Sequence, residues 1–285
     1  MTANGRIQAS YSAAGIVGPL LAGLLAAVMP LYDVLFFDAL SFLASALTLA
    51  AIRISFNTAD TERPTTNIRQ DVVEGLRYVL GHPVLRNISA MMALVNFVGS
   101  TTGTQLVLFA KERYGASDTQ VGLLFSAGSI GIVVLSLLAG LLRKRWPFSR
   151  VALGALMLDG LLTVALALTT WYWGGALLWA LISGLGILFN INTGSLRQAI
   201  VPNHLLGRVI SIAGVLAWSA IPLGTLLGGA LIEATGNVAL VYGAIGMITF
   251  VIPLPFSFTA LGHAERYLPR QETPMIEPIA ETSVV

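Results

Sequence analysis

Cysteine is absent from this 285-residue chain, which excludes a disulfide framework, a thiolate nucleophile and any cysteine-ligated metal site. Charge is scarce as well: 11% of residues are Asp, Glu, Lys or Arg, against about 25% in a soluble domain. The sequence contains no HExxH pair, no GxSxG elbow and no phosphate-binding loop. Its three histidines, His82, His204 and His263, fall outside the apolar runs. Zinc-dependent, serine-nucleophile and nucleotide-driven chemistry therefore have no motif to rest on, and neither a cofactor nor a metal is expected. The net charge of +2 comes from basic residues scattered between apolar runs. Without a continuous basic face, nucleic acid is not an expected partner.

Apolar sequence fills the space. Hydrophobic residues make up 55% of the chain and the mean hydropathy is +0.80. Runs of about 20 apolar residues match the length a helix needs to cross a bilayer. Eight such spans are expected, near residues 9–29, 34–52, 88–110, 119–142, 150–170, 175–196, 209–232 and 239–260. Helices are required because hydrocarbon cannot satisfy open backbone groups, and no ten-residue alternating pattern suggests a barrel. The fold class expected is an all-α, multi-pass membrane protein. The first run reaches Met29 without a charge and is followed by others, so it reads as a retained helix rather than a cleaved signal.

Fourteen of the sixteen Lys and Arg residues lie in alternate connections, with Lys111 and Arg113 alone on the other side. The positive-inside rule then places both termini in the cytoplasm of a plasma (inner) membrane protein. The longest connection divides the chain into residues 1–53 with two spans, a linker over 54–87, a six-span unit over 88–262 and a disordered cytoplasmic tail over 263–285. Within the linker, Val72, Val73, Leu76, Val79 and Leu80 recur at helical spacing and predict an amphipathic helix ended by Pro83.

The chain also repeats itself. GRIQASYSAAGIVGPLLAGLL begins at Gly5 and GRVISIAGVLAWSAIPLGTLLGG at Gly207, so that Arg6 aligns with Arg208 and, after a slip of one residue, Pro19 with Pro222. Both copies run the same way through the membrane, as two parallel six-helix halves would. The repeated helix is fifth of the six spans after the linker. By that logic the first half also has six spans, of which the last two are present and about four lie upstream of Met1.

These residues resemble the major facilitator superfamily, and within it the bacterial drug, macrolide and siderophore exporter branch. SAAGIVGPLLAGLLAAVM is similar to the antiporter motif of the family's fifth helix. Gly18, Pro19 and Gly23 match it, while Ala14 and Ala22 stand where the strict pattern has glycine. FFDALSF around Asp38 resembles the sixth helix, GLRYVLGHPVLR the approach to the seventh, and VPNHLLGRV the loop before the eleventh. GLLRKRWPFSR is only a degenerate form of the family's basic loop motif. The resemblance implies a secondary active transporter working by alternating access, with export of a small amphipathic or hydrophobic molecule and proton antiport. Uptake, or a truncated membrane protein that does not transport, are the alternatives. The implied partners are a small-molecule substrate, the lipid bilayer and a proton.

Candidate site residues follow from polarity inside the spans. On the third span, Asn96 and Ser100 share a face, and Thr101 and Gln105 help make its outer half polar almost all round. Asn190 and Asn192 on the sixth span are similar candidates for facing protein or a water-filled cavity. Tyr11 and Trp218 offer aromatic surface to an apolar ligand. Asp159 lies about nine residues into its span, roughly 13 Å deep at 1.5 Å per residue. A carboxyl there is a proton or cation site, or a structural hydrogen-bonding group. Asp38 is a second intramembrane acid, nearer the external surface.

Overall fold

The computed structural model describes Leu25, residues 29–51 and residues 68–267, and every regular element among them is a helix. In chain order these are α1 (Leu31–Ala50), α2 (Ile68–Gly81), α3 (Pro83–Thr104), α4 (Leu106–Tyr114), α5 (Asp118–Arg145), α6 (Phe148–Leu168), α7 (Tyr172–Ile200), α8 (Asn203–Trp218), α9 (Ala220–Thr235), α10 (Val238–Val251) and α11 (Pro253–Ser257). A short 3-10 helix, Ala260–Tyr267, closes the described chain. The expected span at 9–29 lies almost wholly outside the described residues.

Local chemistry sets the helix ends. Ser117 and Gln120 close a capping box at the start of α5, and the Asn237 side chain caps α10. Gly115 and Gly236 take the left-handed conformation that ends α4 and α9. Proline explains two breaks. Pro222 has no N–H to offer the Trp218 carbonyl, where α8 gives way to α9, and Pro253 and Pro255 have none to offer the Thr249 and Val251 carbonyls. α3 and α4 meet at Gln105 with a bend of 52°. With α8–α9 and α10–α11 each taken as one span, six helices among the described residues are long and apolar enough to cross a membrane, or seven with the bent pair. The start of the third span differs from the sequence reading. Pro83 both stops α2 and opens α3, because its fixed φ suits a first helical turn, so the third span starts five residues earlier than expected.

The most extensive packing joins α5 to α7, α6 to α7 and α10, and α3 to α9. Glycines permit these approaches. A Cβ at Gly131 of α5 would fall on the Ala180 carbonyl of α7, and one at Gly184 would lie 2.7 Å from the Gly131 carbonyl oxygen. Gly160 of α6 and Gly246 of α10 meet in the same reciprocal way, each Cβ falling within 2.7 Å of the other's carbonyl oxygen. The apolar window of α1 is unburied among the described residues.

At the end assigned by sequence to the cytoplasm, α2 docks on α8. Arg208 reaches Asp71 at 2.8 Å and Glu74 at 2.7 Å, and Val79 is sealed against Leu85, Leu205 and Val209. The amphipathic stripe is thus only partly used: Val79 is buried, while Val72, Val73 and Leu80 stay exposed. The two ion pairs turn the acidic side of α2 toward α8. His82, between α2 and α3, sits beside Tyr78 and Tyr267 with its Nδ1 buried and unpartnered. Burial holds this imidazole below the usual histidine range. Residues 263–267, placed in the free tail by sequence, are folded. Leu261 and Ala264 are fully buried, and Glu265 Oε1 accepts from the Ser149 backbone N–H at 3.0 Å and hydroxyl at 3.2 Å.

Arg208→Ala is expected to loosen α2 by roughly 1 kcal/mol, as for a partly exposed ion-pair network. Amides of residues 68–81 should then exchange hydrogen about five times faster. Unchanged protection would show that Val79 and its apolar neighbours hold the helix alone.

Candidate intramembrane polar cavity

A cavity of about 230 Å³ lies between α3, α6, α7, α9 and α10. α3 places Asn96 and Ser100 on it one helical turn apart, α6 contributes Asp159, and α7 contributes Asn190. Four candidates drawn from three separate spans therefore share one space. Asp159 is the sole titratable group among the lining residues. It is half-buried, and no hydrogen bond or ion pair reaches it from the described residues.

The polar face of α3 also laces the bundle together. Asn96 Nδ2 donates to the Ala217 carbonyl at 2.9 Å, and the Ser100 hydroxyl to the Ile221 carbonyl at 3.4 Å. Thr101 is buried outside this cavity, donating to the Gly224 carbonyl at 3.2 Å and filling the space over Gly228. Its position is one of helix contact. Asn192 is fully buried and donates to the Leu188 carbonyl at 2.8 Å; it too stands apart from the cavity lining.

Gln105 lines a different cavity, of about 340 Å³, with Glu112 and Glu233 at the opposite end of the bundle from α2. Trp218 is 68% exposed and Asp38 is exposed on α1, so neither joins the cavity. Tyr11, Gly18, Pro19 and Gly23 lie outside the described residues.

Three features escape a sequence reading. Thr163 and Thr249 complete the polar lining, although single threonines in apolar helices carry little signal. Arg197 is 9% exposed, with Nη2 3.0 Å from Met92 Sδ and Nε unpartnered. Sequence counts it as a loop residue because the apolar run ends near 196, whereas α7 continues to Ile200.

A lone carboxyl in a polar cavity at membrane depth can hold a proton or pair with a cation, and a hydrocarbon setting makes either far more consequential than it is in water. Comparison with known proteins places the chain among multi-pass membrane proteins. The chain is 30% identical over 243 residues to the multidrug efflux pump Tap of Mycolicibacterium fortuitum, covering 82% of this chain and 57% of that protein. It is 25% identical to an uncharacterised MFS-type transporter of Sinorhizobium fredii, covering 88% of this chain and 62% of that one. The chain thus spans a little over half the length of these curated relatives. A solved bacterial metal transporter superposes with a TM-score of 0.61 at 20% identity, over 90% of this chain and 65% of its own, a likeness of fold alone. The sequence pattern of the Major Facilitator Superfamily matches residues 1–219 and again residues 90–282, so that with its all-helical, multi-pass architecture the chain belongs to the Major Facilitator Superfamily.

Proposed function

We propose that the chain forms part of a secondary active transporter that exports a small amphipathic or hydrophobic molecule by alternating access, in exchange for protons. The observation that carries this reading is the unpartnered Asp159 in a polar cavity between spans. A carboxyl kept in that setting is costly and has two uses, holding a proton or attracting a cation. The likeness to a multidrug efflux pump supports export over uptake. In this reading both termini are cytoplasmic, residues 1–53 close one half, residues 54–87 link it to the other, and residues 88–262 form the second half around the cavity. Gly18, Pro19 and Gly23 would form the close-packed bend of the antiporter motif.

The test uses the native protein purified from its host membrane and reconstituted in vesicles. Ethidium movement and the internal pH reported by entrapped pyranine are followed together under an imposed pH gradient. Ethidium moving against the proton flow, and stopping when a protonophore is added, is the expected result. Movement indifferent to the gradient would overturn proton antiport, and an equal rate in both orientations would overturn export.

A further inference from the structure

The hydrogen-bond inventory of the cavity says more about its occupant than its volume does. Asn96 Nδ2 faces the Ala217 carbonyl at 2.9 Å and Asn190 Nδ2 faces the Gly186 carbonyl at 3.0 Å. A carbonyl can only accept, so each contact fixes its carboxamide with the Oδ1 acceptor turned away from that partner. The hydroxyl hydrogens of Ser100 and Thr102 are likewise committed, to the Ile221 carbonyl at 3.4 Å and the Gly99 carbonyl at 2.6 Å. Backbone carbonyls thus take one of the two N–H donors of each carboxamide and both of these hydroxyl hydrogens. What remains around the cavity is one N–H on each asparagine against two carboxamide oxygens, two hydroxyl oxygens and the two oxygens of the Asp159 carboxyl, so acceptors outnumber donors. Thr163, one turn beyond Asp159, and Thr249 add hydroxyls that can donate or accept according to the occupant. The walls between these groups are apolar, from Val95, Leu156, Phe189 and Ile245.

We propose that this cavity recognises the primary ammonium head of an amphipathic molecule, with Asp159 as its counter-charge. This deepens the transporter reading and rests on it for the cavity's purpose. An ammonium carries one positive charge and three donors with no acceptor, the complement of a carboxylate flanked by carboxamide oxygens. An anion would meet an uncompensated carboxylate in a setting of low polarity. A neutral alcohol brings one donor and leaves the charge unpaired. The apolar walls suit an aryl or alkyl body beside the charged head, as small-molecule sites combine apolar lining with a few placed polar groups.

Equilibrium binding to the detergent-purified native protein tests this without any flux measurement. The probes are phenethylammonium, its neutral isostere phenethyl alcohol, and the N,N,N-trimethyl derivative, which keeps the charge and loses the donors. Phenethylammonium should bind roughly ten- to hundred-fold more tightly than the alcohol, the range of a charge-assisted hydrogen bond, with the trimethyl compound between them. Asp159→Asn should remove the ammonium preference and Asp159→Glu should restore part of it, in proteins that melt like the native one. Equal affinity for amine and alcohol, or an ammonium preference that survives Asp159→Asn, would overturn the proposal. Should the asparagine variant fail to fold, the comparison of the three probes on the native protein decides alone. Ammonium selectivity without gradient-driven flux would leave this site standing and remove the transport reading. Flux without ammonium selectivity would do the reverse.

Discussion

Asp159→Asn is expected to abolish gradient-driven transport, with a fall in rate of about a hundred-fold or more, while leaving the protein folded in the membrane. The side chains are nearly the same size, so the cavity keeps its shape. What is lost is the negative charge and the ability to take up a proton, and one charge-assisted contact of up to about 3 kcal/mol corresponds to that factor. No described residue pairs with Asp159, so the substitution strands no partner. The asparagine variant should melt at the native temperature or slightly above, because a neutral amide is cheaper to hold in a half-buried site than a carboxyl. The measurement is paired: ethidium efflux under an imposed pH gradient, and thermal melting of the same preparation. Native efflux from the variant would remove Asp159 from the transport mechanism. A collapsed melting temperature would instead make it a structural group.

The second large effect concerns the fold. Gly131→Leu is expected to cost more than about 3 kcal/mol, beyond the usual overpacking penalty, and to lower the melting temperature by roughly 6–12 °C. Backbone lies on both sides of the contact. A side chain at Gly131 falls on the Ala180 carbonyl, and the facing Gly184 already stands against the Gly131 carbonyl oxygen and Leu135. No rotamer relieves such a clash, so α5 and α7 must separate. Between membrane helices close backbone approach supplies much of the association energy, and separation forfeits it. Gly140, later on α5, is the control, since a Cβ there meets nothing within 4 Å. Gly140→Ala should leave stability unchanged or raise it by about 0.5–1 kcal/mol, the helix-propensity gain. Equal behaviour of the two variants would show that the α5–α7 contact yields more easily than its geometry indicates.

The role of α2 shows how far pattern alone reaches. Helical spacing of Val72, Val73, Leu76, Val79 and Leu80 is enough to expect a helix, and α2 forms over Ile68–Gly81. The same spacing suggests that the apolar stripe is the docking face, yet Arg208 reaches α2 from 134 residues away and turns Asp71 and Glu74 inward. Periodicity describes one helix at a time, and a distant counter-charge outweighs it. Likewise, Arg197 reads as a loop residue until α7 is seen to run past the apolar segment and bury it beside Met92.

The solvent, the fold class and the approximate spans of this protein are legible in the order of its residues. A bilayer demands long apolar runs with internally satisfied backbones, and those demands are written in consecutive residues. Asn96, Ser100, Asn190 and Asp159 stand out there one by one, since a polar group within an apolar run is visible without a structure. That these four meet in one cavity, that Thr101 and Asn192 stand outside it and that Gln105 belongs to another follows from helix packing. The reason is rotational: which way a helix turns each residue depends on where its glycines let a neighbour approach. Gly131 against Ala180 and Gly160 against Gly246 fix that choice through contacts between residues far apart in the chain.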